Sequence, residues 1–257
     1  MTTVTFRFYG ALNDFLPHRR QHVPFTHVVG GRASVKDVIE SLGVPHPEVG
    51  LLLVNGESVD FSCIVQDGDH ISAYPAFSRI DVTAVSRVLP RPLPEYRFVL
   101  DVHLGTLATY LRLFGFDTLY RNDYADDELA RISHDENRML LTRDRGLLMR
   151  SLVEHGYFVR NTNPQKQLLE ILQRFRLSAL MQPFGRCLTC NGLLFSIGKE
   201  AVLDRLPPKV REGQERFWQC QDCGRVYWEG THYERMRQFV ERTDSELSAQ
   251  NHLESGK

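Results

Sequence analysis

Four of the five cysteines in this 257-residue chain stand in two Cys-x-x-Cys pairs, Cys187-Leu188-Thr189-Cys190 and Cys220-Gln221-Asp222-Cys223, each followed closely by a glycine, Gly192 or Gly224. A Cys-x-x-Cys turn points both sulfurs to one side, and two such turns supply the four thiolates of a tetrahedral zinc site. The 29 residues between the pairs exceed the common spacing of about 15 to 20. The spacing therefore predicts a zinc ribbon with an extended hairpin or loop around Pro207-Pro208. With cysteine at all four positions no coordination place is left for a reacting water, so the zinc, one per chain, is expected to be structural. A pair of redox dithiols is the alternative reading. Cys63 stands alone and reads as a small buried apolar residue.

The second set of chemical residues is acidic. Asp101 closes the apolar run Phe98-Val99-Leu100, Asp144 follows Leu141-Thr142-Arg143, and Asp126 opens a helical stretch. If the flanking strands are parallel, these three points can converge on one sheet edge, where ligands of such sheets bind. Clustered carboxylates repel unless a cation neutralises them, and hard oxygen donors suit Mg²⁺ or Mn²⁺. Such a site can activate water and stabilise a phosphodiester transition state. Each aspartate alone also reads as a helix cap or loop residue. Asp123, Asp127 and Glu128 are further ligand candidates or a solvated helix start. Arg121, Arg143, Arg145 and Arg160 fall at the same expected edge and could hold substrate phosphates, with exposed helix-end arginines as the plain alternative. His103 is an acid-base candidate that also reads as a local hydrogen-bonding residue. Trp218, Trp228, Tyr227 and Tyr233 read as ribbon packing, and an exposed one could stack a base.

The elements that must position these groups follow from the apolar rhythm. Strands are expected at 97–102, 118–120, 139–142 and 157–160, and helices at 104–114, 126–137 and 145–155, the last closed by Gly156; Asn163-Pro164 caps a further helix to Phe175. Alternating strands and helices imply right-handed crossovers and a parallel sheet. Before them, residues 1–77 read as a small α+β unit: an alternating strand through Val4, Phe6 and Phe8, a helix from Val35 to Leu42 capped by Ser34, and strands at 51–54 and 71–74. Pro90, Pro92 and Pro94 mark residues 78–96 as a stiff connector with few interdomain contacts. The α/β domain is expected over 97–183, the ribbon and a closing helix over 184–242, and a flexible tail over 243–257.

Composition bounds the function. Apolar residues are 42% and charged residues 25% of the chain, an ordinary balance for a folded soluble protein. The first residues alternate like a strand and no apolar stretch approaches bilayer length, so neither secretion nor membrane insertion is expected. Free cysteines at metal spacing point to a reducing, cytoplasmic compartment. The net charge of −1 advertises no polyanion partner in bulk, so a nucleic-acid site must be local. Residues 97–183 carry twelve bases against eleven acids, while residues 1–77 carry five against eight.

The segment Phe98 to Phe175, with Leu100-Asp101, Leu111-Arg112-Leu113-Phe114-Gly115-Phe116-Asp117-Thr118, Asp126-Asp127-Glu128-Leu129 and Leu141-Thr142-Arg143-Asp144-Arg145, resembles the PIN-like ribonuclease domain of the Mut-seven C-terminal family. That family carries a zinc ribbon at its carboxyl end, matched by the four cysteines and Arg225-Val226-Tyr227-Trp228. Residues 1–77 resemble the ubiquitin-like β-grasp domain that precedes it in some members, through Val54-Asn55-Gly56 and Val65-Gln66-Asp67-Gly68-Asp69. The fold class implied is an N-terminal β-grasp domain, then a PIN-like parallel-sheet α/β domain with a C-terminal zinc ribbon. The resemblance implies metal-dependent hydrolysis of single-stranded RNA, with Asp101, Asp126 and Asp144 as Mg²⁺ or Mn²⁺ ligands and the β-grasp domain available to a protein partner. A non-catalytic RNA-binding or adaptor protein is the alternative. Many PIN-type sites have a fourth acid two residues after the third; here that position is Gly146, so a second metal would need Asp123, Asp127 or an asparagine such as Asn161. Sulfur carriers share the β-grasp fold but need a free terminal Gly-Gly, and Pro75-Ala76-Phe77 running on into a connector excludes that chemistry.

Overall fold

The computed structural model describes residues 1–77 and 80–255. Its regular elements are β1 (Thr2–Phe8), β2 (Phe25–Val29), α1 (Val35–Ser41), β3 (Val49–Val54), β4 (Glu57–Ser58), β5 (His70–Pro75), β6 (Phe98–Leu100), α2 (Gly105–Leu113), β7 (Thr118–Leu119), α3 (Asp126–Asp135), β8 (Met139–Thr142), α4 (Arg145–Leu148), β9 (Gly156–Phe158), α5 (Pro164–Arg174), β10 (Leu194–Ile197), α6 (Pro208–Gly213), β11 (Phe217–Cys220), β12 (Val226–Trp228) and α7 (Thr231–Ser255). They form two compact units: Met1–Glu95 with Asp123–Val159, and Tyr96–Asn122 with Arg160–Lys257.

In the first unit, the alternation of β1 turns Val4, Phe6 and Phe8 inward, each at most 1% exposed. β1 pairs antiparallel with β2 and parallel with β5. The sheet order is β2-β1-β5-β3-β4, the mixed sheet of a β-grasp domain. α1 lays Val35, Val38 and Ile39 on it. A capping box fixes the start of that helix: Asp37 N–H donates to Ser34 Oγ, and Ser34 N–H donates to the Asp37 carboxylate. The strand β2, over Phe-Thr-His-Val-Val, is an addition to the elements read from the sequence.

The same unit contains α3, β8, α4 and β9, with β8 and β9 paired in parallel. The expectation of few contacts beyond the β-grasp domain fails here. Phe158 packs edge-on against Phe15 at 5.4 Å, and its N–H donates to Oε1 of the buried Glu48 at 2.7 Å. The Arg145 guanidinium donates to the Phe15 carbonyl at 2.9 Å and lies over both rings. The connector is not free either: Val88 joins the β-grasp core and Ser86 Oγ donates to the Gly50 carbonyl. Its first residues, Ser78 and Arg79, lie outside the described residues. The helix expected over 145–155 ends after Leu148, because the next residues close three-residue turns, with Arg150 N–H on the Leu147 carbonyl and Val153 N–H on that of Arg150.

In the second unit, β6 and β7 pair in parallel. α2 packs on α5 through the buried faces Leu107, Leu111 and Leu168, Ile171, Leu172. Asn163 caps α5 with its side-chain oxygen on the Gln165 and Lys166 N–H groups, and Pro164 follows at N1, as its sequence demands. β10, β11 and β12 form an antiparallel ribbon. α7 is helical to Ser255, through most of the stretch expected to be a flexible tail. Arg237 pairs with Glu234 and Glu241 along it, and Thr243 and Leu247 are buried. Gly256 and Lys257 lie outside the described residues.

Candidate metal centre and strand-end carboxylates

The two Cys-x-x-Cys turns bring four sulfurs together. Ligand atoms of Cys187, Cys190, Cys220 and Cys223 all lie within 4.8 Å of one another, with Sγ separations of 3.7 Å for Cys187–Cys223 and 3.3 Å for Cys190–Cys220. A tetrahedron of Zn–S bonds near 2.3 Å requires about 3.8 Å between sulfurs, so the donor set fits that metal. Each turn is closed by backbone hydrogen bonds: Asn191 N–H to the Cys187 carbonyl and Cys187 N–H to that of Gly192, then Gly224 N–H to Cys220 and Cys220 N–H to Arg225. Glycine at 192 is required by space, since a Cβ there would stand 2.8 Å from Cys220 Sγ and 2.3 Å from the Asp222 carboxylate. Burial works against the Cys187 thiolate, yet hydrogen bonds from the Tyr227 hydroxyl and the Cys190 and Thr189 amides take its pKa down to about 6. Burial and the neighbouring sulfurs push Cys190 the other way. Four close thiols cannot all ionise alone, and a divalent cation resolves that conflict.

The turns are bolted to α2 and to the loop after it. The buried Arg112 donates from Nε to the Thr118 carbonyl at 2.9 Å and from Nη1 to the carbonyls of Leu188 and Thr189 at 3.2 and 2.9 Å, inside the first Cys-x-x-Cys turn. Asn191 reaches the same loop, donating to Asp117 Oδ1 at 2.8 Å and accepting from Thr118 N–H at 2.9 Å. Gly115, at φ +94°, allows the close crossing, because a Cβ would stand 2.3 Å from the Gln182 carbonyl. The stretch Leu111–Thr118 thus holds the ribbon. Neither Arg112 nor Asn191 is singled out by sequence spacing, since their partners lie more than 70 residues away.

The strand-end acids take these places. Asp101 follows β6, buried, with its carbonyl accepting the Leu104 N–H. Asp126 is the exposed first residue of α3, and its carboxylate lies 3.6 Å from Arg150 Nη2. Asp127 beside it also pairs with Arg150. Asp144 is the N-cap of α4, its Oδ1 accepting from Gly146 N–H at 2.7 Å and Leu147 N–H at 3.4 Å. Asp123 is exposed in the loop before α3. Asn161 has its amide nitrogen on Glu170 at 2.6 Å, and Glu170 also accepts the N–H groups of Asn161 and Arg160. Of the arginines, Arg143 donates to the Val159 carbonyl at 2.8 Å and converges with Arg145 on the Phe158 ring. Arg121 is exposed after β7.

These parts define an α/β protein with a ubiquitin-like module before it in sequence and a four-cysteine ribbon after its last strand pair. The Mut7-C RNAse domain model matches residues 96–240, and the Mut7-C ubiquitin model matches residues 1–81. The chain belongs to the Mut7-C RNAse domain family. No curated protein and no solved structure matches it. No helix among the described residues is long and apolar enough to cross a membrane.

Proposed function

We propose that this chain is a metal-dependent ribonuclease that hydrolyses phosphodiester bonds of single-stranded RNA, with Asp101, Asp126 and Asp144 as the oxygen ligands of Mg²⁺ or Mn²⁺. The match of the Mut7-C RNAse domain to residues 96–240 carries the reading. It is supported by the placement of Asp101 directly after β6 and Asp144 two residues after β8, each strand being one of a parallel pair, β6 with β7 and β8 with β9. The bound cation would supply charge neutralisation and a more acidic water. Asp144 keeps one carboxylate oxygen on its own helix start, which fixes the side chain while the other remains for a ligand. Arg150 holds the acids at the start of α3 in place until a cation competes for them. Arg121, Arg143, Arg145 and Arg160 are the phosphate-holding candidates, and Arg143 and Arg145 already donate to backbone carbonyls, those of Val159 and Phe15. The cysteine cluster holds one structural zinc, the β-grasp domain docks a protein partner, and the protein works in the cytoplasm.

A second reading, an RNA-binding adaptor without catalysis, draws on one observation: Asp126 and Asp144 both have structural partners, Arg150 and the α4 cap. Titrating Mn²⁺ into the purified chain with a labelled single-stranded RNA separates the two. Cleavage that rises with Mn²⁺ and disappears in Asp101→Asn and Asp144→Asn supports the enzyme; RNA binding with no cleavage at any Mn²⁺ level supports the adaptor.

A further inference from the structure

The ribbon builds a second feature, which shares Tyr227 with the cysteine cluster. In β11 and β12, Trp218 and Tyr227 are directly opposed, while the next pair, Phe217 and Trp228, belongs to the apolar cluster of Val202 and Leu206 on the other side. Strand alternation therefore turns Trp218 and Tyr227 together away from that cluster. There they meet Phe184, from the segment before the first cysteine, and Tyr233, from the first turn of α7, whose rings lie 4.7 Å apart. With Trp228 and Arg186 they line a cavity of about 490 Å³, inside the range of about 300–1,000 Å³ usual for small-ligand sites. All five rings are half-buried, so each keeps surface for a visitor.

The walls specify the visitor. Among the described residues no carboxylate lines the cavity, and its charged side chain is Arg186, which disfavours a cation. Arg186 is held in place by donating to the Gly115 and Asn191 carbonyls, both at 3.1 Å, with Asp117 at 3.9 Å. Two of its five N–H donors are thereby used and Nη2 faces the Asp117 carboxylate, which leaves part of the guanidinium for an anion. An aliphatic group would need no aromatic walls, and a bare anion would need more than one cation. A planar π-system joined to a phosphate uses both features, by stacking on the rings and by pairing with the guanidinium. We propose that this cavity is a nucleobase-binding site, taking one unstacked base with its phosphate toward Arg186. In RNA, the source this proposal commits to, it rests on the ribonucleolytic reading above and names the part of the chain that grips the strand.

The chain has two tryptophans, and both line this cavity, so intrinsic tryptophan emission reports on it. The full-length, zinc-loaded protein is titrated without Mg²⁺ or Mn²⁺, with fluorescein-labelled oligoadenylate followed by anisotropy and with unlabelled oligoadenylate or adenosine monophosphate followed by emission. Quenching by the oligonucleotide is expected. Tyr233→Leu should weaken oligonucleotide binding by roughly 5- to 150-fold, the worth of one stacked base, while Tyr233→Phe, which keeps the ring, should not; zinc content should be unchanged in both. If Tyr233→Leu fails to fold, Phe184→Leu is read in its place. Oligonucleotide binding with unchanged emission and an unchanged Tyr233→Leu affinity overturns the cavity proposal and leaves the ribonucleolytic reading standing. Quenching by adenosine monophosphate without oligonucleotide binding supports a base site and overturns RNA as its source. Silence toward both ligands overturns the proposal outright.

Discussion

Oδ1 of Asp144 accepts two N–H groups at the start of α4, and the same carboxylate is the proposed post-strand ligand, so one position carries a structural and a chemical load that substitutions can separate. Asparagine caps nearly as well as aspartate but brings no charge. Asp144→Asn should therefore leave the melting temperature near wild type while Mn²⁺-dependent cleavage falls by orders of magnitude; cleavage at the wild-type rate would remove Asp144 from the site. Asp144→Ala should add a loss of about 1 kcal/mol, read by denaturant unfolding. The cysteine cluster and this cap were legible in the sequence because both are local: the cluster follows from two i, i+3 spacings and the cap from an aspartate just past an apolar strand and ahead of a helical stretch. Arg112 was not legible. In the sequence it is one polar residue on an otherwise apolar helix face, and only the fold brings the Leu188 and Thr189 carbonyls to it.

At the scale of elements, α2 and the first Cys-x-x-Cys turn act as one piece through Arg112. Replacing it by alanine strands the Thr118 carbonyl, of a fully buried residue, and two carbonyls in the metal-binding turn. Hydrogen bonds from a charged donor are worth about 1.5–3 kcal/mol each, so Arg112→Ala should lower stability by at least that amount. Because the stranded carbonyls lie between Cys187 and Cys190, zinc should also pass faster to a colorimetric chelator. Unfolding that shifts with no change in the chelation rate would mean that the bolt does not reach the metal. Arg112→Lys should recover little, since an ammonium cannot span three carbonyls as the planar guanidinium does. The β6, α2, β8 and α5 positions were readable from periodicity and caps, to within a few residues. α4 was not: Leu148 and Leu152 are spaced i, i+4 as on a helix, but Leu148 and Val153 are buried around Gly156, where a Cβ would stand 2.6 Å from Leu148 and 2.9 Å from Val153. Tertiary packing sets the end of that helix, and no local signal announces it.

At the scale of the whole molecule, proline spacing invites a picture of independent domains, and the first unit contradicts its premise. The β-grasp domain shares a compact unit with Asp123–Val159, through the Phe15–Phe158 ring contact, the bond from Phe158 N–H to the buried Glu48, and the Arg145 guanidinium on the Phe15 carbonyl. An N–H on a buried carboxylate and a guanidinium on a carbonyl are charge-assisted bonds, stronger than neutral ones. Covalent continuity at 78–96 should accordingly be dispensable for association. With a protease site inserted between Pro94 and Glu95, the cut chain should still elute from gel filtration as one species of intact mass. Phe158→Ala combined with Arg145→Ala removes the ring contact and the guanidinium while leaving the cysteine cluster untouched, and should let the fragments separate after cutting. Two species from the cut wild type would show the interface to be too weak to matter and would restore the picture of independent domains. One species from the cut double variant would instead move the association to contacts other than Phe158 and Arg145. Because β9, the strand clamped in this way, is the parallel partner of β8 and β8 leads into Asp144, separation should also reduce Mn²⁺-dependent cleavage, and the same cut samples assayed on RNA test whether the β-grasp domain supports the carboxylate positions or only rides beside them.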